Sequence, residues 1–219
     1  MEKQKKVFKN EIKYNVTLNE EQKEVKRLIR EKQIVVVTGR AGCGKSLVSA
    51  QTALDFLFKK EYEYIYVTRA AVEVGHSLGF LPGSLSEKFD PYLEAFKDNL
   101  FECYDKVKIE ELINSEKVKA LPVQFIRGKT INDILVVEEA QNLTKPEMLA
   151  LLTRLGKNGR IIINGDNEQK DIKDQYNGLS YIIDLAKKFS DDIKWIKLKH
   201  NHRSDLVGKI LEYEYSGKK

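Results

Sequence analysis

The sequence predicts a three-layer α/β domain built on a mostly parallel central sheet. Three observations carry this. All-apolar runs recur at Ile34–Val37, Ile134–Val137 and Ile161–Ile163, the pattern of strands buried on both faces. Stretches of helical spacing separate them, so strand and helix alternate along the chain. Each run ends in glycine, carboxylate or amide residues, and open parallel sheets bind ligands just beyond the carboxyl ends of their strands.

The first run leads straight into Gly39-Arg40-Ala41-Gly42-Cys43-Gly44-Lys45-Ser46. This fits G-x-x-x-x-G-K-[ST], the phosphate-binding loop for nucleoside triphosphates. Its glycines let the backbone curl so that N–H groups point at phosphate oxygens. Lys45 can bring positive charge to the β- and γ-phosphates, and the Ser46 hydroxyl can ligate Mg²⁺. A helix expected over Leu47 to Lys59 offers its positive N-terminus to the same anion. A complete motif in a strand-loop-helix setting argues against a chance glycine-rich turn.

Composition narrows the setting. At 219 residues the chain suits one domain. No stretch approaches a membrane span, and the lysine-rich start has no apolar run behind it, so neither a membrane anchor nor a secretory signal is expected. Cys43 and Cys103 show no metal or disulfide spacing. Cys43 lies inside the phosphate loop, where oxidation would interfere, so a reducing cytoplasmic location is expected. The net charge of +5 permits nucleic-acid binding without arguing for it.

Taken in order, residues 1–16 read as a basic tail, either solvated or an arm for nucleic-acid phosphates. Asn19 or Thr17 then caps a helix with Val25, Leu28 and Ile29 as its buried stripe. Gln22 is either part of an ordinary capped helix or, since an amide both donates and accepts, a reader of an adenine edge. Tyr64–Thr68 reads as a strand leading into a shaped loop around Gly79-Phe80-Leu81-Pro82-Gly83. Phe89–Cys103 reads as a helix, Lys106–Lys119 as a shorter helix and connector, and Pro122–Ile126 as an extra strand.

Ile134–Val137 ends in Glu138-Glu139. A hydrophobic strand ending in two carboxylates suits the phosphate loop: Glu138 can reach hydrated Mg²⁺ and Glu139 can polarise the attacking water. Arg160–Asn164 is the next strand, and Gln169 beyond it can sense a γ-phosphate. Helices are expected over Pro146–Leu155 and Leu179–Phe189. The alternation of Ile193–Leu198 marks a strand nearer the sheet edge. Two histidines, His200 and His202, are too few for a metal site. Arg203 is either a surface charge or the guanidinium that stabilises the transferring phosphate. A last helix is expected to about Tyr213.

From about Leu18 to Tyr213 the chain resembles the PhoH family of ATPases, relatives of superfamily 1 helicases. The resemblance is carried by Thr68-Arg69-Ala70-Ala71-Val72-Glu73-Val74-Gly75, by Leu78-Gly79-Phe80-Leu81-Pro82-Gly83 with Glu87-Lys88 and Asp90-Pro91-Tyr92, by Gly128-Lys129-Thr130-Ile131-Asn132-Asp133 leading into Glu139-Ala140-Gln141-Asn142, and by Leu152-Thr153-Arg154-Leu155-Gly156. It implies a single RecA-like P-loop NTPase domain over 17–219. It implies Mg²⁺-dependent ATP hydrolysis coupled to RNA or single-stranded DNA remodelling, and a homo-oligomer, such as a hexameric ring, that completes each site from a neighbour. By the same resemblance Asn19 and Gln22 belong to an adenine-reading motif, Gly165-Asp166 with Gln169 to a γ-phosphate-coupling motif, and Arg203 to an arginine-delivering motif.

The chain departs from the family where Glu138 replaces the usual Asp. The extra methylene can shift the carboxylate by about 1.5 Å, and Mg²⁺ is strict about geometry. An alternative is therefore a slow ATP-dependent assembly switch that recruits a partner. A small-molecule kinase suits the Gly165-Asp166-x-x-Gln169 element less well.

Overall fold

The computed structural model describes residues 12–70, 85–169, 171, 176–202, 206, 209, 210 and 213, with 85–92 described as helix backbone. In chain order the elements are α1 (Glu20–Glu31), β1 (Ile34–Thr38), α2 (Lys45–Phe58), β2 (Ile65–Arg69), α3 (Leu85–Cys103), α4 (Lys106–Asn114), β3 (Val118–Ala120), β4 (Ile134–Glu138), α5 (Lys145–Leu152), β5 (Arg160–Gly165), α6 (Gly178–Lys188) and β6 (Ile193–Lys197).

The strands form one parallel sheet in the order β3-β2-β4-β5-β1-β6. Branched residues favour the extended chain and alternate between its faces. Val35, Val37, Val136 and Ile162 point into one core with α1 to α4, while Val36, Val137, Ile161 and Ile163 point into the other with α5 and α6. Three layers result, with the apolar runs in the middle. The register pairs Val36 with Ile163 and places β5 between β1 and β4. Beyond Ile163, Asn164 therefore lies between the phosphate loop and the carboxylates that end β4.

Helix ends carry their own polar solutions. Asn19 caps α1 and Thr144 caps α5, each in a reciprocal capping box, with Gln22 and Glu147 as partners. Two expectations are corrected. Pro122–Ile126 is no strand: Val123–Phe125 is a 3-10 turn closed by Phe125 N–H to the Pro122 carbonyl, and Pro122 has no N–H for a ladder. The extra edge strand is β3, read from the sequence as helix and connector; its Lys119 suits a sheet edge. The last helix falls mostly outside the described residues.

Tyr14 to Val16, assigned by sequence to the tail, pack on the fold. The Asn15 N–H donates to the Cys103 carbonyl at 2.9 Å, and the Val16 carbonyl accepts from Gln51 at 2.9 Å. Tyr14 donates its hydroxyl to Asp55 at 3.4 Å. Asp55, buried on α2, also takes Arg30 at 3.1 Å, Lys59 at 3.0 Å and Lys26 at 3.6 Å. Asp55 thus ties α1, which carries Gln22, to α2, which carries Lys45. Asp55→Ala is expected to cost about 3 kcal/mol by urea denaturation, because three cations lose a buried partner. A loss below about 1 kcal/mol, the worth of an exposed pair, would contradict this role.

Candidate nucleotide-binding site

The carboxyl ends of β1, β4 and β5 converge on a cleft of about 470 Å³. Ala41, Gly42, Gly44, Lys45 and Ser46 line one side; Glu139 and Gln169 line another; Val16, Thr17, Gln22, Leu47 and His202 close the third. A larger hollow, about 960 Å³, opens at the opposite pole of the sheet. There Asp133 accepts the Glu63 and Tyr64 N–H groups and Arg160 donates to the Tyr62 hydroxyl, all serving the fold.

The loop wraps as its motif requires. Gly39 and Gly44 have φ of 152° and 82°, and a Cβ on Gly39 would lie 2.7 Å from the Leu198 carbonyl oxygen. Lys45 folds across the loop, its ammonium donating to the carbonyls of Gly39 at 2.6 Å and Arg40 at 3.2 Å. The Arg40 side chain leaves the loop and pairs with Glu168 at 3.0 Å. Cys43 is buried behind the loop, and burial pushes its thiol up. Of the loop residues expected to bind, Gly39, Arg40 and Cys43 therefore turn their side positions away from the cleft.

At the base, Ser46 Oγ donates to Glu138 Oε2 at 2.8 Å and Asn164 Nδ2 donates to Glu138 Oε1 at 2.8 Å. Asn164 is fully buried and its own oxygen accepts from Ser49 at 3.0 Å. Burial pushes the Glu138 carboxyl up to about 7, against the downward pull of its Asn164 and Ser46 hydrogen bonds. The longer side chain still meets Ser46. A hydroxyl and a carboxylate side by side are the hard oxygen donors Mg²⁺ takes, and Mg²⁺ is commonly held by one or two protein groups together with phosphates and water. No cluster of three or more His, Cys, Asp or Glu suited to a metal occurs among the described residues. The donors present fit Mg²⁺.

Glu139 has left-handed φ 51° and ψ 45°, a costly state for a residue with a Cβ. It turns the carboxylate off the strand and into the cleft. Gln141, fully buried, donates to Glu139 Oε2, and its own oxygen accepts the Asp166 N–H at 2.9 Å. Asp166 in turn takes the Gln169 amide and the Glu168 N–H. Asn142 and Asp171 exchange two hydrogen bonds, at 3.0 and 2.8 Å, and anchor the chain after Gln169.

Asn19 and Gln22 meet His202 on the third side, at 3.1 and 3.4 Å. The structure thus brings Gln22, Lys45, Ser46, Glu138, Glu139 and Gln169 to one cleft and its floor. Arg203 and the loop at 71–84 lie outside the described residues. Gln141, Asn164 and His202 were not singled out by sequence reasoning. Gln141 stands two residues after Glu139, which was its available signal; His202 stands beside Arg203 in the stretch that resembles the arginine-delivering motif, and Asn164 carried none without the strand order.

The family model described as "PhoH-like protein" matches residues 16–214. The chain belongs to this family. A PhoH-like protein of Mycobacterium tuberculosis H37Rv is 37% identical over 209 residues, covering 92% of this chain and 58% of that protein. Protein PhoH of Escherichia coli K12 is 38% identical over 178 residues, covering 80% of this chain and 49% of that protein. The chain therefore spans about half the length of the curated relatives it matches. Among solved structures, the large terminase of a thermophilic bacteriophage superposes with a TM-score of 0.56 at 9% identity, over 90% of this chain and 50% of the terminase. That likeness concerns the fold alone.

Gly39→Ala is expected to destabilise the protein by about 1–3 kcal/mol, since a methyl group must displace the backbone at Leu198. Thermal denaturation checks it; an unchanged Tm would show the loop to be looser than described.

Proposed function

We propose that the chain is a Mg²⁺-dependent ATPase whose turnover is coupled to remodelling of RNA or single-stranded DNA. The observation that carries the catalytic half is the meeting of the glycine loop, the Ser46–Glu138 pair and the inward-turned Glu139 in one cleft. The loop N–H groups and Lys45 hold the phosphates, Lys45 exchanging its loop carbonyls for phosphate oxygens. Ser46 and Glu138 hold Mg²⁺, which when bound offsets charge on the β- and γ-phosphates. Glu139 orients a water molecule and takes its proton as the water oxygen bonds to the γ-phosphorus and the bridging oxygen leaves with ADP. Gln141 is a positioning residue that keeps the Glu139 carboxylate aimed. Gln169 donates to the γ-phosphate, and Arg203, one residue after His202 in sequence, stabilises its developing charge.

The coupling half rests on the family resemblance to helicases, and the net charge of +5 permits it. A neighbouring copy in a homo-oligomeric ring would close the remaining side of the γ-phosphate. Glu138 favours a second reading, a slow ATP-gated switch, because both its oxygens are already hydrogen-bonded in a buried place.

Steady-state ATP hydrolysis, with and without single-stranded RNA, tests this. Glu139→Gln is expected to lower kcat by about 10²–10⁴ while ATP still binds. An undiminished rate in that variant would remove Glu139 from the mechanism. RNA is expected to raise the wild-type rate, less so as salt increases; an RNA-independent rate removes the coupling. Glu138→Asp is expected to weaken Mg-ATP binding by up to about tenfold, one of its two hydrogen bonds being lost. A sharp rise in kcat instead would favour the switch, with Glu138 as its brake.

A further inference from the structure

The capping box of α1 fixes two side-chain amides, and through them a histidine. Backbone N–H groups only donate. The Asn19 N–H therefore faces the Gln22 carbonyl oxygen, at 3.0 Å, and the Gln22 N–H faces the Asn19 carbonyl oxygen, at 2.8 Å. Both amides are thereby oriented, and both turn their NH₂ groups to His202 Nε2, at 3.1 Å from Asn19 and 3.4 Å from Gln22. An NH₂ group cannot accept. His202 Nε2 is thus the acceptor, and the ring proton sits on Nδ1.

This changes what the cleft can read. The Gln22 carbonyl oxygen is turned to the helix cap, so Gln22 presents its NH₂ group to the cleft. That donor stands directly over the phosphate loop: a Cβ on Gly44 would lie 2.3 Å from it. The acceptor beside it belongs to His202. His202 is held from behind, its N–H donating to the Gly42 carbonyl at 3.0 Å and its ring packed edge-on against His200 at 4.7 Å. Val16 and Leu47 line the same cleft and give a flat ring apolar walls.

We propose that His202 is the second half of the base reader, accepting the exocyclic N–H of adenine while the Gln22 amide donates to the neighbouring ring nitrogen. The proposal rests on the ATPase reading and deepens it, because it names what selects the base. Adenine offers an acceptor, N7, beside the donor N6–H₂; guanine offers N7 beside the acceptor O6. A donor and an acceptor 3.4 Å apart match the first pattern. They set lone pair against lone pair for the second. The Asn19 NH₂ bars the escape, since a proton on His202 Nε2 would face it donor to donor. On binding, the base N–H replaces the longer Gln22 contact and shares the one Nε2 lone pair with the Asn19 NH₂, and the freed Gln22 N–H turns to N7.

Calorimetric titration of the full chain with diphosphates, which avoids turnover, tests this. The probes are ADP, GDP and purine riboside 5′-diphosphate, which lacks the exocyclic amine. The wild type is expected to bind ADP about tenfold more tightly than either of the others, the worth of one good hydrogen bond. His202→Ala is expected to bind all three alike, at the wild-type level for purine riboside 5′-diphosphate. His202→Gln, whose amide oxygen can accept, is expected to recover part of the preference. A merely structural histidine would weaken every ligand equally and leave the ratio unchanged, which would overturn the proposal; so would a wild type without preference. If His202→Ala does not fold, the wild-type ratios and His202→Gln decide. If no diphosphate binds the wild type, the ATPase reading itself fails, a result distinct from equal binding of all three.

Discussion

Four side chains join a helix and two strands at the head of the sheet: Ser49 to Asn164, Asn164 to Glu138, and Ser46 to Glu138. The chain of bonds depends on strand order. Because β5 lies between β1 and β4, its last inward side chain bridges the helix after the phosphate loop and the carboxylate after β4. Glu138 is held where burial disfavours its charge, and two neutral donors with the Lys45 ammonium only partly offset that cost. The site is poised for positive charge, and the rest of the cleft is arranged around it.

Positive-φ backbone surrounds the cleft and also occurs at Lys60 and Glu116 elsewhere in the fold. Glu139 is left-handed, and Gly39, Gly42 and Gly44 have positive φ. Buried side chains hold each departure in place: Gln141 braces Glu139, and Leu198 closes over Gly39. At the opposite pole the polar groups of Asp133 and Arg160 are spent on neighbouring backbone and tyrosine groups.

Much of this was legible in the sequence because the signals were local. Ile34–Val37, Ile134–Val137 and Ile161–Ile163 are contiguous runs, and the glycine loop is contiguous as well. Edges were less legible. Val118–Ala120 is too short to show a period, and Pro122–Ile126 looked extended although Pro122 closes a turn. The candidate site was legible where a residue stands at or just past a strand end: Glu138 ends β4, Glu139 follows it, and Gln169 lies four residues beyond β5. It was not legible where geometry decides. Asn164 matters because of the strand beside it, and His202 because the chain after β6 returns to α1, about 180 residues earlier in sequence. The capping box also gave Gln22 a second task, so its carbonyl oxygen already has a partner.

The head of the sheet is proposed to bind a nucleotide through a cation held by Ser46 and Glu138. Calorimetric titration with ATP in Mg²⁺ and in chelator tests it most directly, using the wild type and Glu138→Gln. The account predicts tight binding by the wild type that falls at least tenfold in chelator, and a Glu138→Gln protein whose weaker affinity no longer responds to Mg²⁺. Equal affinity with and without Mg²⁺ in the wild type, or an undiminished Mg²⁺ response in Glu138→Gln, would contradict it.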